Sequence, residues 1–186
     1  TAGNVTTLYN GGVPGDLSIV SFVGNLDAWW KIDDDDDNTV NGITDYGPSG
    51  LHGSALQGLG GRTWDFNGST HDINMGAVLL YERTDPFTVT AWIQTTGLFS
   101  QVIISDQEAV TFRGYSMYID GSGKLNFQLI NTLATNRLVT IAASGPSVND
   151  GGLHFVSVTY AGNSLLAGVL MYIDGISQTV TLQSSP

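Results

Sequence analysis

The pentapeptide Met-Tyr-Ile-Asp-Gly occurs at residues 117–121 and again at residues 171–175, and each copy lies between two alternating runs of residues. The Tyr and Ile side chains before each Asp-Gly alternate between the two faces of an extended strand. Asp-Gly supplies the positive φ that a tight hairpin turn requires. Both copies therefore predict β-hairpins, and the chain is interpreted as antiparallel sheet.

Period-two patterns continue on both sides of these hairpins. In Phe87–Ile93, bulky apolar residues alternate with small or polar ones, so Phe87, Val89, Ala91 and Ile93 should face a core. No amphipathic helix is predicted, and the regular spacing of short strands is typical of an all-β, antiparallel two-sheet sandwich or jelly roll. The other predicted strands are Leu26–Ile32, Thr63–Phe66, His71–Met75, Val102–Ser105, Ala109–Phe112, Tyr115–Ile119, Lys124–Ile130, Leu138–Ala142, Leu153–Tyr160, Leu170–Ile173 and Gln178–Leu182.

Composition agrees with a loop-rich β domain. The 186 residues include 24 Gly, and only 12% are charged while 41% are hydrophobic. At this length about two thirds of the unfolded chain's surface can be buried, so neither a metal nor a disulfide is required for stability. We expect a glycine-rich arm or linker at residues 1–24 and one sandwich at residues 25–186.

The charge balance excludes several classes of function. Seventeen acidic residues against six basic ones give a net charge of −11, which repels a polyphosphate backbone and argues against nucleic-acid binding. The chain has no cysteine, which excludes thiolate metal sites and cysteine nucleophiles. Its longest apolar stretch, Leu165–Ile173, is far shorter than the roughly 20 residues of a membrane-spanning helix, so membrane insertion is not predicted.

Seven segments occur in a characteristic order along the chain: Trp30–Asp33, Ile43–Gly53, Trp64–Ser69, Phe87–Ile93, Gly114–Asp120, Leu153–Tyr160 and Met171–Gly175. Their order resembles the laminin-G-like, concanavalin A-like lectin and glucanase superfamily over about residues 26–182. This resemblance implies a concanavalin A-like jelly-roll sandwich that binds glycans or proteins. Members serve as accessory modules of secreted enzymes and adhesins or as parts of virion appendages, and some are glycosidases.

Two departures from the family pattern concern the ends of the chain. Family members usually finish with a strand similar to Ile-Asp-Glu-Val, and no such segment follows Leu182, so the sandwich is expected to lack its last strand. Val5–Gly12 resembles the tail that follows such a strand. An exposed sheet edge accepts a strand from another chain, so we expect the N-terminal arm to pack on a neighbouring copy or domain. The alternative is a flexible leader.

Catalytic motifs are weak in this sequence. A glycosidase needs two carboxyl groups about 5–9.5 Å apart, and the two glutamates, Glu82 and Glu108, are isolated from each other along the chain. None of His52, His71 and His154 lies near a Gly-x-Ser-x-Gly elbow, and His154 is predicted to be a packed core or interface residue. The sequence therefore predicts that the protein is not an enzyme.

The best candidate for a metal site is an acidic run. Calcium takes six to eight oxygen ligands from carboxylates and carbonyls in irregular loops, and laminin-G-like relatives often carry calcium in loops of this kind. The run lacks the glycine and glutamate of an EF-hand. The alternative is a solvated acidic loop. The predicted calcium ligands are Asp33, Asp35, Asp36, Asp37 and Asp45.

Glycan binding requires exposed aromatic faces beside polar groups. Trp30, Trp64 and Trp92 lie in strand-like runs and are interpreted as core residues, which weakens the prediction of a sugar site. The remaining candidates, near loops, are Tyr46, Tyr81 and Tyr115.

These observations predict a non-catalytic structural or adhesion module on a virion or extracellular appendage, acting through protein–protein contacts. Its partners would be copies of itself or other appendage proteins. The alternative is a calcium-assisted glycan-binding module of a secreted or surface protein, with cell-surface glycans as ligands. Both interpretations place the protein outside the cell or on a virion surface.

Overall fold

The computed structural model describes residues 66–69, 71–76 and 78–183, together with the backbone of two short strands at residues 42–43 and 53–55. The chain divides into two compact units, Thr1–Val78 and Leu79–Pro186. The predicted arm at residues 1–24 and the predicted strand Leu26–Ile32 lie outside the described residues, so the predicted domain division stays a prediction.

The described residues form twelve strands, which are numbered in chain order. The first three belong to the first unit and form a small antiparallel sheet of order β1-β2-β3. Of the predicted strand His71–Met75, only Ile73–Asn74 is extended. The strands are β1 (Gly42–Ile43), β2 (Gly53–Ala55), β3 (Ile73–Asn74), β4 (Phe87–Gln94), β5 (Gln101–Gln107), β6 (Gly114–Ile119), β7 (Leu125–Thr132), β8 (Asn136–Ala142), β9 (Leu153–Tyr160), β10 (Val169–Ile173), β11 (Ile176–Ser177) and β12 (Val180–Leu182).

The second unit contains two antiparallel sheets. One has four strands in the order β11-β10-β9-β4, and the other has five in the order β12-β8-β7-β6-β5. After β4 the chain runs through the meander β5 to β8 in the larger sheet, returns to the smaller sheet for β9 to β11, and ends with β12 at the edge of the larger one. This alternation between sheets produces the sandwich topology that the sequence predicts.

The core lies between the inner faces of the two sheets. Phe87 of β4 contacts Phe127 of β7 with ring centroids 6.0 Å apart, and Tyr160 of β9 contacts the same phenylalanine at 6.2 Å. Met117 and Val158 are fully buried. The four predicted core residues of β4 all belong to this cluster or pack against it. Period two therefore predicted the buried face of β4 correctly.

Two predicted elements are wrong. Ala109–Phe112 is not a strand but the turn between β5 and β6, closed by hydrogen bonds from Phe112 N to Glu108 O and from Glu108 N to Arg113 O. The second Asp-Gly hairpin is closed by Ile176–Ser177 rather than by Gln178–Leu182. Val180–Leu182 instead pairs with β8 in the other sheet.

The predicted fold class is confirmed: the second unit is an all-β, antiparallel two-sheet sandwich. Apart from a single 3-10 turn at Leu166–Gly168, no helix occurs within the described parts of the chain. None of the described residues therefore forms a helix that could cross a membrane.

Candidate functional site

The predicted calcium ligands Asp33, Asp35, Asp36, Asp37 and Asp45 lie outside the described residues, as do His52 and Tyr46. Within the described ranges, no three His, Cys, Asp or Glu side chains form a cluster suited to a metal ion. The structure instead offers two surfaces in the second unit. One is a sheet face, and the other is a cleft at one end of the sandwich.

The outer face of the four-stranded sheet is the first surface. Trp92 is 62% exposed there, although the sequence analysis interpreted it as a core residue. That prediction is wrong because Trp92 lies between Ala91 and Ile93, which face the core, and period two turns it outward. Its register partner is Phe155, and the two ring centroids are 5.2 Å apart.

The rest of this outer face is apolar or neutral. Leu153 is 57% exposed and Leu170 is 48% exposed, and serine and threonine side chains occupy the positions between them. None of the side chains at these paired strand positions is charged, and Asp174, in the turn after β10, borders them beside Phe155. The outer face consists of Thr88, Thr90, Trp92, Gln94, Leu153, Phe155, Ser157, Thr159, Leu170 and Tyr172.

A cleft of about 390 Å³ is the second surface. Its walls come from the segment before β4, the β5–β6 turn, the β7–β8 turn and the loop after β9. Arg83, Arg113 and Arg137 all line it, so half of the six basic residues of the chain meet there. These arginines are brought together because the turns β5–β6 and β7–β8 of an antiparallel meander lie at the same end of a sheet.

The arginines differ in how they are held. Arg83 Nη1 donates a hydrogen bond to Ser164 Oγ at 2.6 Å. No hydrogen bond or ion pair with the described residues occupies the guanidinium of Arg113, which is exposed. Because a guanidinium offers five donors in a planar fork, Arg113 is free to bind a ligand.

Carboxylates line the same cleft. Glu82 and Glu108, which the sequence separates, both reach it, and Asp106 lies half-buried beside them. Burial raises the pKa of Asp106. Glu108 accepts a hydrogen bond from the Thr111 hydroxyl and so stabilises the β5–β6 turn. Three acidic and three basic side chains give the cleft no net formal charge.

The tyrosine candidates have different positions. Tyr81 lines the cleft, and its ring stacks on Phe87 with centroids 4.6 Å apart. Tyr115 is buried in the core and donates a hydrogen bond to Leu79 O at 3.1 Å. Burial, followed by the charge of Asp106, raises the pKa of Tyr115 to about 12. Of the two tyrosine candidates that the structure describes, Tyr81 and Tyr115, only Tyr81 can therefore contact a ligand.

His154 lies at the opposite end of the sandwich and is buried, as the sequence predicts. Its Nδ1 is 2.8 Å from Asp174 Oδ2, and its Nε2 is 3.0 Å from Asp150 Oδ1. Both ring nitrogens are therefore occupied, and neither is left as a metal ligand or general base. The hydrogen bonds to Asp174 and then to Asp150 raise the pKa of His154.

The sequence analysis missed the cleft because its residues are far apart along the chain. One feature of the sequence could have predicted the cleft. Arg113 follows β5 and Arg137 follows β7, and the connections after alternate strands of an antiparallel meander lie at the same end of the sheet. The exposure of Trp92 could also have been predicted from the alternation that correctly placed Val89 and Ala91 in the core.

Comparisons with known proteins place this geometry in a wider context. A family profile described as "Concanavalin A-like lectin/glucanases superfamily" matches residues 66–184. No curated protein matches the chain. The solved structure of mouse laminin alpha1 chain, domains LG4-5, is similar, with 18% sequence identity and a TM-score of 0.38. That match covers 56% of this chain and 25% of the laminin chain.

Proposed function

Because the chain belongs to the concanavalin A-like lectin/glucanases superfamily, we propose that it is a non-catalytic adhesion or structural module acting through protein–protein contacts. Domains of the laminin-G-like type commonly serve as adhesion or carbohydrate-binding modules. The proposed contact surface is the outer face of the four-stranded sheet, and the proposed partner is a second copy of the chain. The observation that carries this proposal is the 62% exposure of Trp92.

A large exposed aromatic side chain supports a contact role. Trp is enriched among the residues that dominate binding energy at protein interfaces. Burying what remains exposed of Trp92 and its neighbours would contribute on the order of 2 kcal/mol per large side chain. The contact of Trp92 with Phe155 holds the indole in place, so little side-chain freedom is lost on binding.

Charge supports a second copy as the partner. Each chain carries −11, so two copies repel each other over most of their surface. The outer face carries no charged side chain, so two such faces can meet without burying a charge. Contacts of this kind would suit an extracellular or virion appendage, in which copies of one chain pack together, and this location is part of the proposal.

The non-catalytic character is supported by the two glutamates of the cleft. Glu82 and Glu108 are both exposed, and Glu108 already accepts a hydrogen bond from Thr111 that stabilises the β5–β6 turn. These two glutamates therefore support a binding role rather than a catalytic one.

Sedimentation of the purified chain over a range of concentrations tests the contact proposal. We expect reversible self-association of the wild type, and Trp92→Thr should weaken it about tenfold or more because the central aromatic is lost. Val110→Ala is the matched control, since Val110 is 87% exposed in the β5–β6 turn, away from the outer face. Added salt should strengthen the association by screening repulsion. A wild type that stays monomeric at millimolar concentration, or association unchanged by Trp92→Thr, would overturn the proposal.

The second candidate function is glycan binding, which the cleft favours. Tyr81 supplies an aromatic ring, and the arginine and carboxylate side chains supply the donors and acceptors that orient sugar hydroxyls. Its volume of about 390 Å³ lies within the usual range of ligand pockets. Calcium at Asp33, Asp35, Asp36, Asp37 and Asp45 belongs to this second proposal and is supported by the acidic run in the sequence.

A further inference from the structure

We infer that the cleft binds an acidic saccharide through a single carboxylate group held by its arginines. This inference rests on the second proposed function and adds the chemical class of the ligand. It depends on the juxtaposition of Arg83, Arg113 and Arg137 in a chain that has only three other basic residues.

The three arginines give the cleft positive groups that can attract an anion. The chain carries a net charge of −11, so an approaching anion is repelled except where basic groups compensate. Arg83 and Arg113 form no ion pair with the carboxylates of the cleft among the described residues. Their charge is therefore available to an incoming anion.

The free guanidinium of Arg113 selects the shape of that anion. Two parallel N–H groups of arginine match the two oxygens of a carboxylate, and such charge-assisted pairs are about twice as strong as neutral hydrogen bonds. Arg113 is exposed and unpaired among the described residues, so a carboxylate can reach its donors without breaking a contact with those residues.

The carboxylates of the cleft limit the charge of the ligand. Glu82, Asp106 and Glu108 balance the formal charge of the three arginines, so a polyanion such as a sulfated chain would also be repelled by the acidic groups that line the same cleft. A ligand with one negative charge can contact the arginines while its neutral part lies near the acidic side chains. This arrangement favours a monoanion.

The acidic side chains also suit hydroxyl groups. An ionised carboxylate only accepts hydrogen bonds, and sugar hydroxyls are donors of the right kind. Asn131 and Asn136 line the same cleft and offer both donors and acceptors. A hydroxyl-rich ring that carries one carboxylate, as in a uronic acid, uses each of these groups.

Isothermal titration with a matched pair of sugars tests the inference. Methyl glucuronide and methyl glucoside differ only in a carboxylate that replaces a hydroxymethyl group. We expect the wild type to bind the glucuronide about tenfold or more tightly than the glucoside, because only the glucuronide forms the charge-assisted pair. Arg113→Gln should remove this preference, and Arg113→Lys should restore part of it, since lysine keeps the charge but not the planar fork.

Lys124→Gln is the control, because it removes the same charge from the β6–β7 turn at the opposite end of the sandwich and should leave the preference unchanged. Equal binding of both sugars, or a preference that survives Arg113→Gln, would overturn the carboxylate contact while leaving glycan binding in place. Acetate binding as tightly as the glucuronide would overturn the saccharide class. No binding of either sugar at tens of millimolar would overturn glycan binding and the inference together.

Discussion

His154 connects two segments that are far apart in the sequence. The loop before β9 provides Asp150, and the turn after β10 provides Asp174, whose Oδ1 also accepts a hydrogen bond from Phe155 N at 2.8 Å. The imidazole therefore fixes both segments when it is protonated and carries a positive charge between two carboxylates. Hydrogen bonds to His154 lower the pKa of Asp150 and of Asp174 below the ordinary value of 3.8.

The pH dependence of stability follows from these shifts. The pKa of His154 in the folded protein lies above its ordinary value of 6.5. Its contribution to the free energy of unfolding is therefore fully present below pH 6.5 and is lost as the pH rises through the folded pKa. Asp150 and Asp174 stabilise the fold above pH 3.8, the ordinary pKa of an aspartate. This stabilisation is lost as the pH falls through their lower folded pKa values. Urea denaturation at a series of pH values should show the free energy of unfolding falling above pH 6.5. His154→Gln should flatten that fall, and the control His71→Gln should not. An unchanged slope in His154→Gln would contradict this account.

Single residues also show what the sequence predicts and what it does not. The burial of Val89 and Ala91 follows from period two, because each strand position has only two sides. The same rule places Trp92 outside, yet its large apolar side chain suggested the core. At Trp92, side-chain hydrophobicity predicted burial and periodicity predicted exposure. Periodicity was correct because the neighbouring residues Ala91 and Ile93 already occupy the inner face of β4.

At the scale of elements, the two copies of Met-Tyr-Ile-Asp-Gly form different turns. Asp174 and Gly175 both have positive φ, 52° and 78°, and join β10 to β11 as a two-residue hairpin. In the first copy, the positive φ belongs to Gly123, two residues beyond the pentapeptide. Asp120 Oδ1 accepts hydrogen bonds from Ser122 N and Lys124 N, which stabilises a longer loop.

The residues after each pentapeptide therefore decide the turn. Ser122 and Gly123 follow the first copy, and the second glycine allows the chain to reverse later. Ile176 and Ser177 follow the second copy and pair with β10 at once. The sequence predicted both hairpins, but the later path of Val180–Leu182 depends on the free edge of β8, which a local pattern does not contain.

These two turns make a matched test. Gly123 and Gly175 have nearly the same φ, 77° and 78°, so alanine at either position should cost about 1–2 kcal/mol of backbone strain. An added Cβ at Gly175 meets nothing within 4 Å, whereas at Gly123 it would lie 2.1 Å from Asn149 Oδ1. Asn149 would then have to give up its hydrogen bond to Gly97 O, which costs about 1 kcal/mol more. Denaturation midpoints should therefore fall further in Gly123→Ala than in Gly175→Ala, and equal falls would show that the contact with Asn149 is not rigid.

At the scale of the whole molecule, charge is unevenly distributed. The outer face of the four-stranded sheet has no charged side chain, and the cleft holds half of the basic residues. The sequence predicted the net charge and the sandwich, because both depend on composition and local periodicity. It could not predict the two surfaces, because each assembles residues from strands and turns that meet only after folding.

The acidic run gives the last prediction, which concerns the stability of the whole chain. If calcium binds at Asp33–Asp37 and Asp45, it should raise the thermal unfolding midpoint, by an amount equivalent to about 2.7 kcal/mol at a hundredfold excess over the dissociation constant. One bound Ca²⁺ would change the net charge from −11 to −9, and Asp36→Ala with Asp45→Ala also gives −9. This double variant should lose both the heat of calcium binding and the shift in midpoint.

A second double variant, Asp72→Ala with Glu82→Ala, removes two charges elsewhere and should keep both effects. This control separates ligation from the simple relief of repulsion. Should the acidic run only repel itself, the first double variant would be more stable than the wild type, and millimolar calcium would produce neither heat nor a shift in the wild-type midpoint. Differential scanning calorimetry and titration calorimetry on the three proteins distinguish these outcomes.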